Sequence, residues 1–395
     1  MRKLIIVISM GIGVLLASRA FPLESPMLDG ADTSPSLYAL RGVSRIDFLS
    51  AEVSAGNNAF SLGDYSLYNG DFLTDADKEK IMESVPEAGV DTRAYASLGM
   101  GAVMTRGLFV AGGGRAGQNS SMPRDVLDLA LYGNEIGRTY SMDGASGEAM
   151  ALAGIGVGYS RAFDLSGREL FAGARLQVLK GLAYGVVVRA GGSLHTEVDG
   201  LSGDGEIVTR TAKGGAGYSL DVGASHRTYS NIIISAYVLN AVSLMRWTKA
   251  CKEDVNGFIA DNITFGDSSL DSLVEDFHET RELPSFSTSL APVLGIAVEK
   301  DVHWTYLSVV YTQGFRQGAF TTGRPRLAVT GIWESLGFMD LGVGLAYEAG
   351  FGIDECVRLG FGRMNRLEVT AGFSPLPYAP SLKQLDFSMR LSHRL

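Results

Sequence analysis

Cysteine is nearly absent. Cys251 and Cys356 are the only two in the 395-residue chain, too few and too widely spaced for a disulfide scaffold. They read as two separate thiols or as one bond pinning a loop, and neither lies near the start, which excludes a lipid-anchored lipoprotein. Histidine is scarce too. His195, His226, His278, His303 and His393 show no metal-ligand spacing, so no metal or other cofactor is expected. No apolar run reaches the ~20 residues of a membrane helix, and the longest, at residues 4–17, falls short. Basic charge is outweighed, 34 Lys and Arg against 43 Asp and Glu for a net −9, which argues against nucleic acid as a partner. Catalytic motifs are missing: GIGVG at 154–158 resembles a dinucleotide loop, but Ile155, Val157 and Tyr159 continue an alternation and no helix is predicted after them. Ser225–His226 and Asp276–His278 read as rim or loop polarity, and the chain is expected not to be an enzyme.

What is present begins with Arg2 and Lys3 ahead of the apolar run, then Ser18, Arg19 and Ala20. This pattern predicts a secretory signal peptide over 1–20, cleaved before Phe21. Residues 21–90 lack strand alternation and are predicted to plug or cap the remainder of the chain. Within them LTDADKEKIMESVPEAG predicts a helix with Thr74 as N-cap and Asp77 three residues on. MPRDVLDLALYG predicts a second, with Pro123 in its first turn. Both are placed at the periplasmic mouth or inside the lumen.

From about residue 91 to 395 a period of two takes over. Ile155, Val157 and Tyr159 oppose Gly154, Gly156 and Gly158; Leu341, Val343, Leu345 and Tyr347 oppose Gly342, Gly344 and Glu348; Leu385, Phe387, Met389 and Leu391 oppose Asp386, Ser388 and Arg390. Segments of about ten residues suffice to cross the ~30 Å hydrocarbon layer when tilted. Tyr159, Tyr184, Trp247, Trp304, Trp333, Phe338, Tyr347 and Phe373 fall near strand ends, as interfacial girdles do. The fold class is therefore all-β, an antiparallel transmembrane β-barrel of about fourteen strands with short N-terminal helices capping or plugging the lumen. Residues 248–285, rich in Asp and Glu, are predicted to be a long acidic outer loop, solvated or cation-binding.

Several stretches resemble the FadL-like outer-membrane proteins, a superfamily holding the long-chain fatty-acid transporter and the PorV-type proteins. FAGARLQVLKGLAYG is similar to a strand-turn segment of that group. Asp221, Gly223 and Asn240 match its following hairpin, and SFSTSLAPVLGIAVEKD and the C-terminal strand also fit. Ser34-Pro35-Ser36 stands where the transporter has Asn-Pro-Ala, so its gating does not carry over. The resemblance implies a monomer in the outer membrane of a diderm bacterium, inserted by the barrel-assembly machinery among outer-membrane lipids. It implies either a route for small hydrophobic molecules out through the barrel wall or a non-transporting accessory barrel that binds partner proteins.

Parity turns Arg175, Gln177, Arg189, Asp221, Glu348, Arg358, Glu368 and Arg390 inward. Charges in a lumen must pair or be solvated, so these residues are either a pillar of ion pairs or a polar lining for a ligand headgroup. Pro292 in SLAPVLG is the candidate kink for a wall opening, because proline breaks a ladder bond.

Overall fold

The structure, a computed structural model, describes residues 34–37, 45–68, 72–103, 107–165, 168–264, 274–303, 305–333, 338–374 and 381–394. The predicted signal peptide and Trp304 lie outside them. Fourteen strands form one antiparallel ladder: β1 (Arg45–Asn57), β2 (Val90–Val103), β3 (Leu108–Met122), β5 (Ser146–Leu165), β6 (Arg168–Thr196), β7 (Gly200–Arg227), β8 (Ile232–Thr264), β11 (Val293–Val302), β12 (Thr305–Gly314), β13 (Pro325–Trp333), β14 (Met339–Glu348), β15 (Gly352–Phe361), β16 (Asn365–Ser374) and β17 (Gln384–Arg394). β1 pairs with both β2 and β17, so the ladder closes. Closure removes both sheet edges, the condition for backbone to cross lipid as strands. Three short pieces are added: β4 (Thr139–Ser141) on β6, and β9 (Val274–Glu282) and β10 (Phe286–Thr288) on β8.

The exposed positions are the apolar ones. Ile155, Val157 and Tyr159, Leu327 and Val329, Val343 and Leu345, and Leu385 and Phe387 face outward, while Ser160, Thr330, Asp340, Glu348, Asp386 and Ser388 are buried inside. An oily exterior over a polar interior inverts a soluble domain. It makes the wall a lipid-facing belt.

Both ends of the ladder lie on one side, Arg45 opposite Arg394. At this terminal end the strands are joined by linkers of two to five residues, whereas the far end carries all the long connections. Those hold α1 (Leu62–Tyr68), α2 (Asp75–Ser84) and α3 (Arg124–Tyr132). α2 has the expected capping box, Thr74 Oγ1 accepting from Asp77 N while the Asp77 carboxylate accepts from Thr74 N at 3.0 Å. Those bonds from Thr74 pull the Asp77 carboxyl below the usual aspartate range.

Four expectations are corrected. Residues 45–57, assigned to the plug, are barrel strand β1, with Leu49, Ala51 and Val53 in an alternation too weakly apolar to stand out. That added strand also moves the helices: α2 follows β1 rather than preceding the barrel, and α2 and α3 both lie in far-end connections instead of at the terminal mouth. Tyr184 and Trp247 are not girdle residues. Leu182 is a bulge against β5, where the adjacent Ala151 and Leu152 pair with Ala183 and Gly181, while β7 keeps its register and leaves Gly214 unpaired opposite it; one extra residue reverses the parity beyond it. Tyr184 is thereby turned inward, buried and stacked 5.1 Å from Trp247. Finally, 248–285 is not mainly a loop: β8 continues to Thr264 and β9 returns beside it, raising a sheet of β6 to β9 beyond the belt.

Candidate functional site

The lumen is occupied from both ends. At the terminal end Ser34, Pro35, Ser36 and Leu37 lie inside the wall. Ser36 Oγ is 2.6 Å from Ser225 Oγ, which continues to Ser235 at 2.8 Å, and Leu37 packs on Phe171 and Ile233. Gly173 and Gly223 make room for this segment: a Cβ on either would strike Pro35 or Ser34. The Ser-Pro-Ser noted in the sequence is thus an inner plug, held by hydroxyl contacts on strands distant in sequence.

At the far end residues 315–324, between β12 and β13, fold inward. Gly318 and Thr321 close a tight turn by mutual backbone bonds of 2.8 and 3.1 Å. Asn119 Nδ2 donates to the Gly318 carbonyl, and Ala319 fits over Gly117, where a side chain would clash. Phe320 meets the Tyr95 ring edge-on at 6.1 Å, and the Arg115 guanidinium stacks on Phe320 at 4.6 Å. Arg316 reaches Glu148 at 3.5 Å and Arg324 reaches Asp91 at 2.5 Å, tethering both flanks of the loop to the wall.

Beside Arg115, which stacks on Phe320, and Arg175 lies a half-open cavity of about 180 Å³, lined by Tyr95, Arg115, Leu152, Arg175, Gln177 and Leu179 among others. Its wall is thin for a reason of register. Gly99, Gly113 and Gly154 stand directly opposite one another across β2, β3 and β5, and Gly101, Ala111 and Gly156 form the next row. Rows of glycine on the inner parity leave the space that side chains fill elsewhere.

The predicted inward residues are brought into three groups. Arg175 Nε donates to Asp221 at 2.7 Å and Gln177 Nε2 to the same oxygen at 2.8 Å, bordering the cavity. Asp221 also accepts the Asn240 backbone N–H at 2.7 Å, and Asn240 donates to the Ala291 carbonyl at 3.2 Å. Asn240 sits at φ +51° beside a ladder irregularity, a conformation asparagine tolerates. Near the terminal end Arg358 and Arg366 bind Glu368 at 2.7 and 2.5 Å, Arg390 approaches it at 3.8 Å, and Arg366 also pairs with Asp340. Gly360 leaves the space that Asp340 occupies.

Glu348 belongs to the third group, whose centre the sequence reading missed. Arg93, fully buried, pairs with Glu348 and Gln384, lies 3.6 Å from Asp354 and stacks on Phe351 at 4.0 Å. Gln384 donates to Asp354 and Asp386 at 3.1 and 2.9 Å, and Ser54 donates to Asp386. Arg93 and Arg115 carried a usable signal, each two residues from an inward Tyr95 or Gly113. Arg189 is a correction: it pairs with Glu206 in the exposed sheet beyond the belt, not in the lumen. Pro292 is another. β11 begins at Val293, so the proline precedes the ladder and kinks no wall strand. Cys251 and Cys356 are both buried and neither is in a disulfide, and among the described residues no group of His, Cys, Asp and Glu is placed to hold a metal.

A family model described as a family of unknown function (DUF5723) matches residues 41–362, and the chain belongs to that family. No curated protein matches it in sequence. Similar solved structures include the toluene transporter TodX of Pseudomonas putida, 7% identical, covering 92% of each chain with TM-score 0.45. The toluene transporter TbuX of Ralstonia pickettii is 11% identical, 92% of each chain, TM-score 0.43. A Pseudomonas aeruginosa FadL homologue is 12% identical, 92% of this chain and 93% of that one, TM-score 0.45. The barrel assignment rests on the closed ladder itself.

Proposed function

We propose that this member of the family is an outer-membrane barrel that holds a small, partly apolar molecule in the lumen and exchanges it by movement of the inward loop 315–324. Short linkers at the terminal end and long connections at the far end are the periplasmic and outer sides of such barrels. The observation that carries the reading is the glycine-walled cavity bordered by Arg175 and by Arg115, which stacks on Phe320. Its volume, below the ~300–1,000 Å³ of drug-sized sites, suits a single ring or a chain of a few carbons. Tyr95, Phe109, Leu152 and Leu179 supply apolar surface, while Arg115, Gln177 and Ser97 supply donors. β2, β3 and β5 keep unbroken register past the cavity, so no break between these three strands opens it to the side.

Uptake of a one-ring aromatic by liposomes carrying the protein tests this. Wild-type should exceed protein-free liposomes, and Ser97→Phe, which fills the cavity from a side chain already lining it, should abolish the difference. Equal uptake by wild-type and empty liposomes would sink the transport reading. A non-transporting accessory barrel is then favoured by the Arg93 and Glu368 ion-pair groups, which brace the lumen across many strands.

A further inference from the structure

We infer that the outer edge of β9 is a docking site for an extended, basic segment of another protein, which adds to the sheet as a further strand. β9 pairs with β8 alone, from Lys252↔Glu282 to Ala260↔Val274, and no strand among the described residues takes its other edge. Every residue from 275 to 282 is exposed. An open edge presents unpaired backbone donors and acceptors in register, the template that strand addition uses.

The side chains say what pairs there. Ladder partners share a face, so Glu275, Phe277 and Glu279 stand together with Ile259, Val255 and Asp204. Phe277 lies over Gly257 and stays 37% exposed, with Ile259 beside it at 46%. The opposite face is already used in holding β9 to β8, through His278 with Asn256 at 2.7 Å and Thr280 with Asp254 at 2.6 Å. What remains open is an aromatic ring between two carboxylates. Its complement is a strand reading basic, any, apolar, any, basic, which fits in either direction because the pattern is symmetric. Cross-strand opposite charges attract and like charges repel. A second copy of this chain is therefore excluded as occupant: antiparallel pairing about Phe277 would set Glu275 against Glu279 twice over.

The test uses the full chain in detergent and three labelled heptapeptides of one alternating pattern with a central valine: lysine at the flanking positions, glutamate there, and the lysine peptide N-methylated on alternate backbone nitrogens. The lysine peptide should bind at least tenfold more tightly than the glutamate peptide, and N-methylation should remove that binding. Glu275→Lys combined with Glu279→Lys should reverse the preference, which also shows that the variant sheet is folded. Equal binding of lysine and glutamate peptides would overturn the charge assignment. Undiminished binding of the N-methylated peptide would overturn strand addition. Neither result bears on the lumen cavity.

Discussion

Asp221 accepts the backbone N–H of Asn240 at 2.7 Å across the β7–β8 ladder, at the point where Asn240 adopts φ +51°. The same carboxylate receives Arg175 and Gln177, so one buried side chain satisfies a strained backbone turn and a lumen cation. Asp221→Ala should destabilise the barrel by about 3 kcal/mol, the cost of leaving a largely buried charge without its partner. Asn240→Gly, which keeps access to positive φ, should cost less than Asn240→Val. Urea unfolding of the folded band on unheated gels measures both.

The lipid face is tested on β17. Phe387 is exposed on the belt and Ser388 is buried inside. Phe387→Arg should cost about 2–4 kcal/mol near the midplane, whereas Ser388→Asn should leave unfolding nearly unchanged. Equal losses at the two positions would reverse the register.

Cys251 lies buried against the Trp247 cluster on β8 and Cys356 on β15. Both thiols should take up maleimide in the unfolded protein without reductant. A mass showing no labelling would instead establish a bond.

Orientation is checked from outside. Glu275→Cys, on the exposed far-end sheet, should react in intact cells with a membrane-impermeant maleimide. Arg363→Cys, in the linker between β15 and β16 at the terminal end, should react only after lysis. The reverse pattern would invert the barrel.

The cap of α2 has a pH signature. Hydrogen bonds from Thr74 hold the Asp77 carboxyl below its ordinary value, so its contribution is complete above the unfolded aspartate range near ~3.9 and is lost as pH falls through the lower folded value. Protection of the α2 amides from exchange, taken relative to the intrinsic rate at each pH, should thus be steady from pH 8 to pH 5 and fall only in stronger acid. Thr74→Ala should lower that protection throughout, by the ~1 kcal/mol typical of a lost N-cap.

The sequence by itself determined the barrel, its lipid face and the α2 cap, because these follow from local rules: a period of two for a strand with one wet side, and Thr74 three residues before Asp77. It also determined that Arg175, Asp221, Arg358, Glu368 and Arg390 turn inward, since parity needs no knowledge of neighbours. Only the tertiary structure decided where parity breaks and who meets whom. The bulge at Leu182 turns Tyr184 into the lumen, and no single-strand pattern marks it, because a bulge is defined by the strand opposite. β1 escaped because its alternation is mild and its pairing partners are β2 and the C-terminal β17. The cavity is likewise a property of register: Gly99, Gly113 and Gly154 are ordinary glycines along the chain, and they open a space only because three strands set them side by side.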